Sequence, residues 1–161
     1  MFGLIKNIIF AALLFGVGYL FGIQEVRFYK IISTSMEPTL EVNDRIIAVK
    51  PGTLTRGDIV VLRDPAGGRD RLTKRVIGVP GDRVTVVEGE VRVNGERIQE
   101  PYLKEKPSYE MRVYVPEGAY LVLGDNRNES EDSSTWGPVP RTMITGKVVC
   151  RYWPWERFRV F

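Results

Sequence analysis

Residues 71–95 read RLTKRVIGVPGDRVTVVEGEVRVNG, and their period settles the fold class. Val and Ile recur at alternate positions, and the run is cut by Pro80-Gly81-Asp82, Glu88-Gly89 and Asn94-Gly95. Alternating β-branched residues bounded by such dipeptides are the pattern of strands joined by tight hairpins. The same reading extends in both directions. Strands are predicted over Asp44–Lys50, Asp58–Arg63, Arg71–Val79, Arg83–Val87, Val91–Val93, Met111–Val115, Tyr120–Leu123 and Lys147–Tyr152. No stretch after Ile23 holds a helical period, and no internal repeat is visible. The expected fold is therefore mainly β: an antiparallel sandwich or partly open barrel spanning residues 25–161.

The amino terminus differs. Ile8 to Ile23 (IIFAALLFGVGYLFGI) carries no charge, and Met1 to Ile5 add apolar length beyond Lys6 and Asn7. A bilayer core of about 30 Å takes about 20 helical residues, and the run reaches that length if Lys6 snorkels to an interface. Residues 1–24 are accordingly expected to form one transmembrane helix. A cleaved signal peptide is the alternative, but no small-x-small site follows the run; Gln24, Glu25 and Arg27 do. Lys6 on one side and Arg27 and Lys30 on the other leave orientation undecided by charge.

Composition removes whole classes of chemistry. The 161 residues include no histidine and a single cysteine, Cys150. Ser-His-Asp and Cys-His sites are thereby excluded, as are His-liganded zinc, thiolate clusters and an intrachain disulfide. Cys150, within Val148-Val149-Cys150, reads as a small buried hydrophobe. The net charge of +3 is concentrated at the C-terminus, where Arg141, Lys147, Arg151, Arg157 and Arg159 face only Glu156. The remainder is nearly neutral, so no nucleic-acid partner is expected.

Three segments carry candidate chemistry, each with a plainer reading beside it. Ser33-Thr34-Ser35-Met36-Glu37-Pro38-Thr39-Leu40 is either a polar turn or a nucleophile loop. In the strand at 71–79, Leu72, Lys74 and Val76 share one face. Most strand lysines face water, but an ammonium between aliphatic neighbours loses hydration and becomes a usable base. In a chain without histidine, Lys74 is the most plausible activator of a serine. Gly124-Asp125-Asn126-Arg127-Asn128-Glu129-Ser130-Glu131-Asp132-Ser133 suits a loop of Asx turns, and its carboxylates are not spaced as a calcium loop.

Together and in this order, SMEPTL, KRVIGVPGD and GDNRNESEDS resemble the three boxes of the type I signal peptidases, membrane-bound serine proteases that remove signal peptides from exported proteins. The resemblance covers essentially the whole chain, in the compact form that lacks a large inserted β-domain. It implies Ser35 as nucleophile and Lys74 as general base, with Ser130 orienting the lysine. It implies an oxyanion hole from the Ser33 hydroxyl and the Ser35 N–H, a kind of donor that can contribute about 3 kcal/mol. Asp132 matches a structural acid that pairs with arginine, for which Arg75 is the candidate partner. Ser134 stands where many members carry a basic residue, and Thr34 where glycine is frequent.

Also implied are preprotein substrates with small residues (Ala-x-Ala) before the cleaved bond, held extended, with Ile31, Met36 and Leu40 lining the pockets. No cofactor or metal is implied. The lipid bilayer is an implied partner, and the implied location is a cytoplasmic or thylakoid-type membrane. There the chain would pass once, with its N-terminus cytoplasmic and the catalytic domain on the far side. The tail Tyr152–Phe161 interleaves aromatic and basic residues, as an ordinary last strand or as a patch on anionic headgroups. A self-cleaving Ser/Lys repressor protease shares the dyad but carries a DNA-binding region in place of the span. A membrane-tethered binding domain would have no need of all four of Ser33, Ser35, Lys74 and Ser130.

Overall fold

The computed structural model describes Gly18 and residues 26–161. The expected span over 1–24 lies outside these residues; among the described residues no helix is long and apolar enough to cross a membrane.

Among the described residues twelve strands form two antiparallel sheets. They are β1 (Arg27–Lys30), β2 (Arg45–Val49), β3 (Ile59–Arg63), β4 (Arg71–Gly78), β5 (Arg83–Val87), β6 (Glu90–Val93), β7 (Glu96–Arg97), β8 (Met111–Tyr114), β9 (Ala119–Leu123), β10 (Val139–Pro140), β11 (Ile144–Trp153) and β12 (Arg159–Val160). The larger sheet runs β1-β2-β11-β3-β4-β9-β10, with β12 on β11, and does not close on itself. The smaller runs β7-β6-β5-β8. The hairpin turns fall where the dipeptides place them. Glu88 and Gly89 have φ of 52° and 73°, and Asn94 and Gly95 have 55° and 89°. Two consecutive positive φ values match the right-handed twist of the flanking strands.

The mainly β expectation holds, and the differences lie in short elements. β1, β7, β10 and β12 have two to four residues, too few for a period to show. One helical turn, α1 (Ser133–Trp136), follows Asp132, whose carboxylate accepts from the Ser134 N–H as an N-cap.

Burial explains the sequence of β3. Its Ile59 and Val61 pack with Met36, Leu40, Ile46 and Val148, whereas Val60 and Leu62 pack with Leu72, Val76 and Val122. Both faces are covered, so the strand is continuously apolar rather than alternating. The smaller sheet is covered from one side, where Val84, Val86, Val91 and Val93 meet Ile77, Leu121 and Leu123 at the ends of β4 and β9. The central strand β4 thus belongs to both packing units. Lys74 and Arg75 sit in its middle.

Candidate active site

Lys74 is only 2% exposed. It stands opposite Val60 in the β3–β4 register, on the face that carries Leu72 and Val76. Burial among these groups lowers its pKa to about 8, although the negative charges of Asp132 and Glu131 pull the other way. The ammonium donates to Ser130 Oγ at 2.9 Å, and Ser130 Oγ donates to Asp132 Oδ2 at 2.6 Å. Asp132 also accepts from the Gly124 N–H at 2.8 Å. A chain of three side chains therefore fixes the lysine head from the loop after β9.

Ser35 lies in a tight turn after β1, where Glu37 N donates to Thr34 O and Leu40 N to Met36 O. Its hydroxyl is 3.2 Å from that of Ser33. Among the described residues no hydrogen bond joins Ser35 Oγ to Lys74; each is held by its own serine neighbour. The two halves meet at Gly124. A Cβ there would lie 2.4 Å from the Ser35 carbonyl oxygen and 2.3 Å from Ser130 Oγ. Any side chain at 124 would push the two loops apart. The neighbouring backbone closes the same seam, with Asn126 N donating to Ser35 O at 3.0 Å.

The expected pairing of Arg75 with Asp132 is corrected. Arg75 forms a two-pronged bond to Asp125, Nε to Oδ1 at 2.8 Å and Nη2 to Oδ2 at 2.6 Å, and donates to Gly57 O at 2.9 Å. Strand alternation is the reason. Adjacent residues point to opposite faces, so Asp132, on the Lys74 side through Ser130, is not available to Arg75. Arg75 instead faces Leu123 across the β4–β9 ladder, two residues before Asp125. Ser134, in place of a basic residue, contributes its backbone N–H to Asp132 at 3.0 Å.

Several contributors escaped sequence reasoning. The Arg75 guanidinium lies 3.9 Å from the centre of the Tyr102 ring, and Tyr102 donates to Glu100, which pairs with the buried Arg127. Arg127 in turn donates to Gly124 O at 3.0 Å. Glu100 and Tyr102 are thereby tied to β4 and to the loop after β9 that carries Ser130. Nothing in the spacing of Glu100 and Tyr102 announces this.

Of the residues expected to line pockets, Ile31 and Met36 border a cleft of about 280 Å³ together with Ser33 and Thr73. Leu40 does not. It is completely buried in the core cluster with Ile46 and Ala48, so it supports the cleft without facing it.

This geometry agrees with what the chain resembles. The family model described as "Signal peptidase, peptidase S26" matches residues 1–153. A "Probable signal peptidase I-2" of Synechocystis sp. is 43% identical, covering 91% of this chain and 71% of that protein. "Signal peptidase IB" of Staphylococcus aureus is 36% identical, over 97% and 93% respectively. The crystal structure of a signal peptidase I from Enterococcus faecalis superposes with a TM-score of 0.55 at 32% identity, over 60% of this chain and 97% of that one. With a buried lysine beside a serine loop, no histidine, and a family match across nearly its full length, the chain belongs to the signal peptidase family, peptidase S26, and is an enzyme that removes signal peptides.

Proposed function

We propose that Ser35 and Lys74 form the catalytic dyad of this peptidase. The observation that carries the reading is the buried Lys74, whose head is already desolvated and whose pKa is lowered to about 8. Neutral Lys74 takes the Ser35 hydroxyl proton as Oγ attacks the scissile carbonyl. The carbonyl oxygen, now negative, is met by the Ser33 hydroxyl and the Ser35 N–H. Lys74 then hands its proton to the leaving amine, giving an acyl-Ser35 ester and a free mature N-terminus. Water, deprotonated by the same lysine, hydrolyses the ester. Ser130 keeps Lys74 in place between these steps.

The reading fixes the direction of the pH dependence. Lys74 works only when neutral, so kcat/KM should fall about tenfold per pH unit below pH 8 and level off above it. A rate profile measured on a short peptide between pH 5.5 and 10 checks this. A plateau extending down to pH 6 would rule Lys74 out as the base.

Substrate specificity for small residues before the cleaved bond fits the shallow cleft bounded by Ile31 and Met36. An added strand has a place to bind. β4 pairs with β3 from Arg71 to Arg75, but with β9 only from Arg75 onward, so residues 71–74 keep one free edge leading to Lys74.

The single-pass anchor at residues 1–24, with its N-terminus cytoplasmic, places this cleft at the bilayer surface outside the cytoplasm. The domain's exposed apolar groups support it: Phe28 and Ile32 follow the anchor, and Trp155 (70% exposed), Phe158 and Val160 sit with Arg157 and Arg159 at the other terminus. Phe28 meets Tyr152 edge-on at 5.8 Å, which joins the two groups. Deletion of residues 1–24 should leave soluble-peptide cleavage within about threefold, while processing of preprotein in liposomes drops by at least tenfold through lost effective concentration. Equal losses on both substrates would show that the segment supports the fold instead.

A further inference from the structure

We propose that Arg71, with Lys30 and Arg69, makes the cleft select signal peptides by charge, favouring an acidic side chain two to five residues before the cleaved bond and disfavouring a basic one. The proposal rests on the peptidase reading above and adds to it a substrate preference. The cleft that holds Ile31, Ser33 and Met36 is also lined by Lys30, Arg69 and Arg71, against the single carboxylate of Asp70. All four charged residues are exposed.

These cations differ from the buried or clamped arginines of the domain. Arg56, Arg75, Arg127 and Arg151 each reach a carboxylate. Among the described residues Lys30, Arg69 and Arg71 form no ion pair. The β3–β4 register moreover sets Arg71 directly opposite Arg63. Like charges across a strand pair destabilise it, and Arg63 turns its guanidinium away to Thr142 O at 2.8 Å. Among the described residues no ion pair neutralises the charge of Arg71. The charge is also local. A second depression beside the nucleophile segment is lined by Glu37, Glu105, Asp125 and Glu129 against one cation, Lys104, and is predominantly acidic.

Position gives the preference its place on the substrate. Arg71 precedes Lys74 by three residues on the free edge of β4, a reach of about 10 Å at about 3.3 Å per strand residue. A peptide added along this edge, with its small −1 and −3 side chains at Ile31 and Met36, passes Arg71 within the next residues upstream. An exposed ion pair changes an equilibrium by up to about fivefold. Attraction of Glu and repulsion of Lys act together, so a ratio of about tenfold between them is expected at low salt.

The test uses the full chain in detergent and soluble peptides of one sequence, with Ala at −1 and −3. Glu, Gln or Lys is placed in turn at −2, −4 and −5. At one or more of these positions kcat/KM should be about tenfold higher for Glu than for Lys. The ratio should shrink toward one in Arg71→Ser and in 0.5 M salt (about one Debye length of 4 Å), and should invert in the Arg69→Glu/Arg71→Glu double variant. A wild-type ratio within twofold at all three positions, or a ratio undiminished in Arg71→Ser, would overturn the proposal. So would a ratio near one combined with weaker binding of Arg71→Ser to anionic vesicles, which would assign the cations to lipid headgroups. Failure of the wild type to cleave the Gln peptides in a Ser35-dependent manner would instead overturn the peptidase reading, and charge selection with it.

Discussion

Replacing Lys74 by Met should abolish turnover and at the same time make the protein more stable. Removing one member of a nucleophile–base pair costs nearly as much as removing both, on the order of 10⁴- to 10⁶-fold in kcat. Stability moves the other way because of how the base is made. The native lysine titrates near 8 and the unfolded one at its ordinary 10.5, so the unfolded chain binds more protons between those values. Wild-type stability therefore rises as pH climbs from about 8 to about 10.5, and at pH 7 the charged lysine carries a penalty of about 3 kcal/mol. Methionine fills the same volume without charge. The lost hydrogen bond to Ser130 takes back about 1 kcal/mol, leaving a gain of about 2 kcal/mol at pH 7 that fades as pH rises from about 8 and is gone by about 10.5. Urea unfolding of both proteins at pH 7 and pH 10.5, beside peptide turnover, measures the two effects together. A variant that is inactive but less stable at pH 7 would mean that Lys74 holds the fold together and is not a destabilised base.

That tension was partly legible in the sequence. The alternation of Leu72, Lys74 and Val76 placed the lysine on an apolar face, and the structure buries it there beside Val60. The β-rich architecture was legible for the same reason: side-chain period and turn dipeptides are local properties, as residues 71–95 show. What the sequence hid was long-range. Arg75 and Asp132 were matched by charge and motif, whereas the ladder between β4 and β9 decides that Arg75 reaches Asp125. Leu40 stood near Ser35 in the chain but is wholly buried in the core with Ile46 and Ala48. Gly124 gives no local sign of its role, because its two crowding neighbours, Ser35 and Ser130, belong to different segments. The clamp from Glu100 and Tyr102 lies in a loop without periodicity, where neither pattern nor propensity points to a partner.

Asp125→Ala should cost about 3–5 kcal/mol of stability. The carboxylate is 1% exposed and neutralises a guanidinium that is itself buried, so truncation strands the Arg75 charge with Gly57 O and the Tyr102 ring face. Thr39, which donates its hydroxyl to Asp125, loses its partner as well. Replacement of both ends by apolar groups is a different matter. Arg75→Met/Asp125→Leu should recover most of the loss, because no unpaired charge remains. Chemical denaturation of the two variants and the wild type at pH 7 reads these differences. A loss below 1 kcal/mol for Asp125→Ala would show that the pair is solvated in solution and does not tie β4 to the serine-bearing loop.

The dyad is tested most directly by Ser35→Ala. Purified wild type and variant are incubated with a preprotein at pH 9, where Lys74 is largely neutral, and the products are read by intact mass. Wild type should release a mature chain cut after a small residue, and the variant, folded as judged by its circular dichroism, should release none over the same period. Cleavage at the same bond by a folded Ser35→Ala protein would contradict the assignment of Ser35 as the nucleophile.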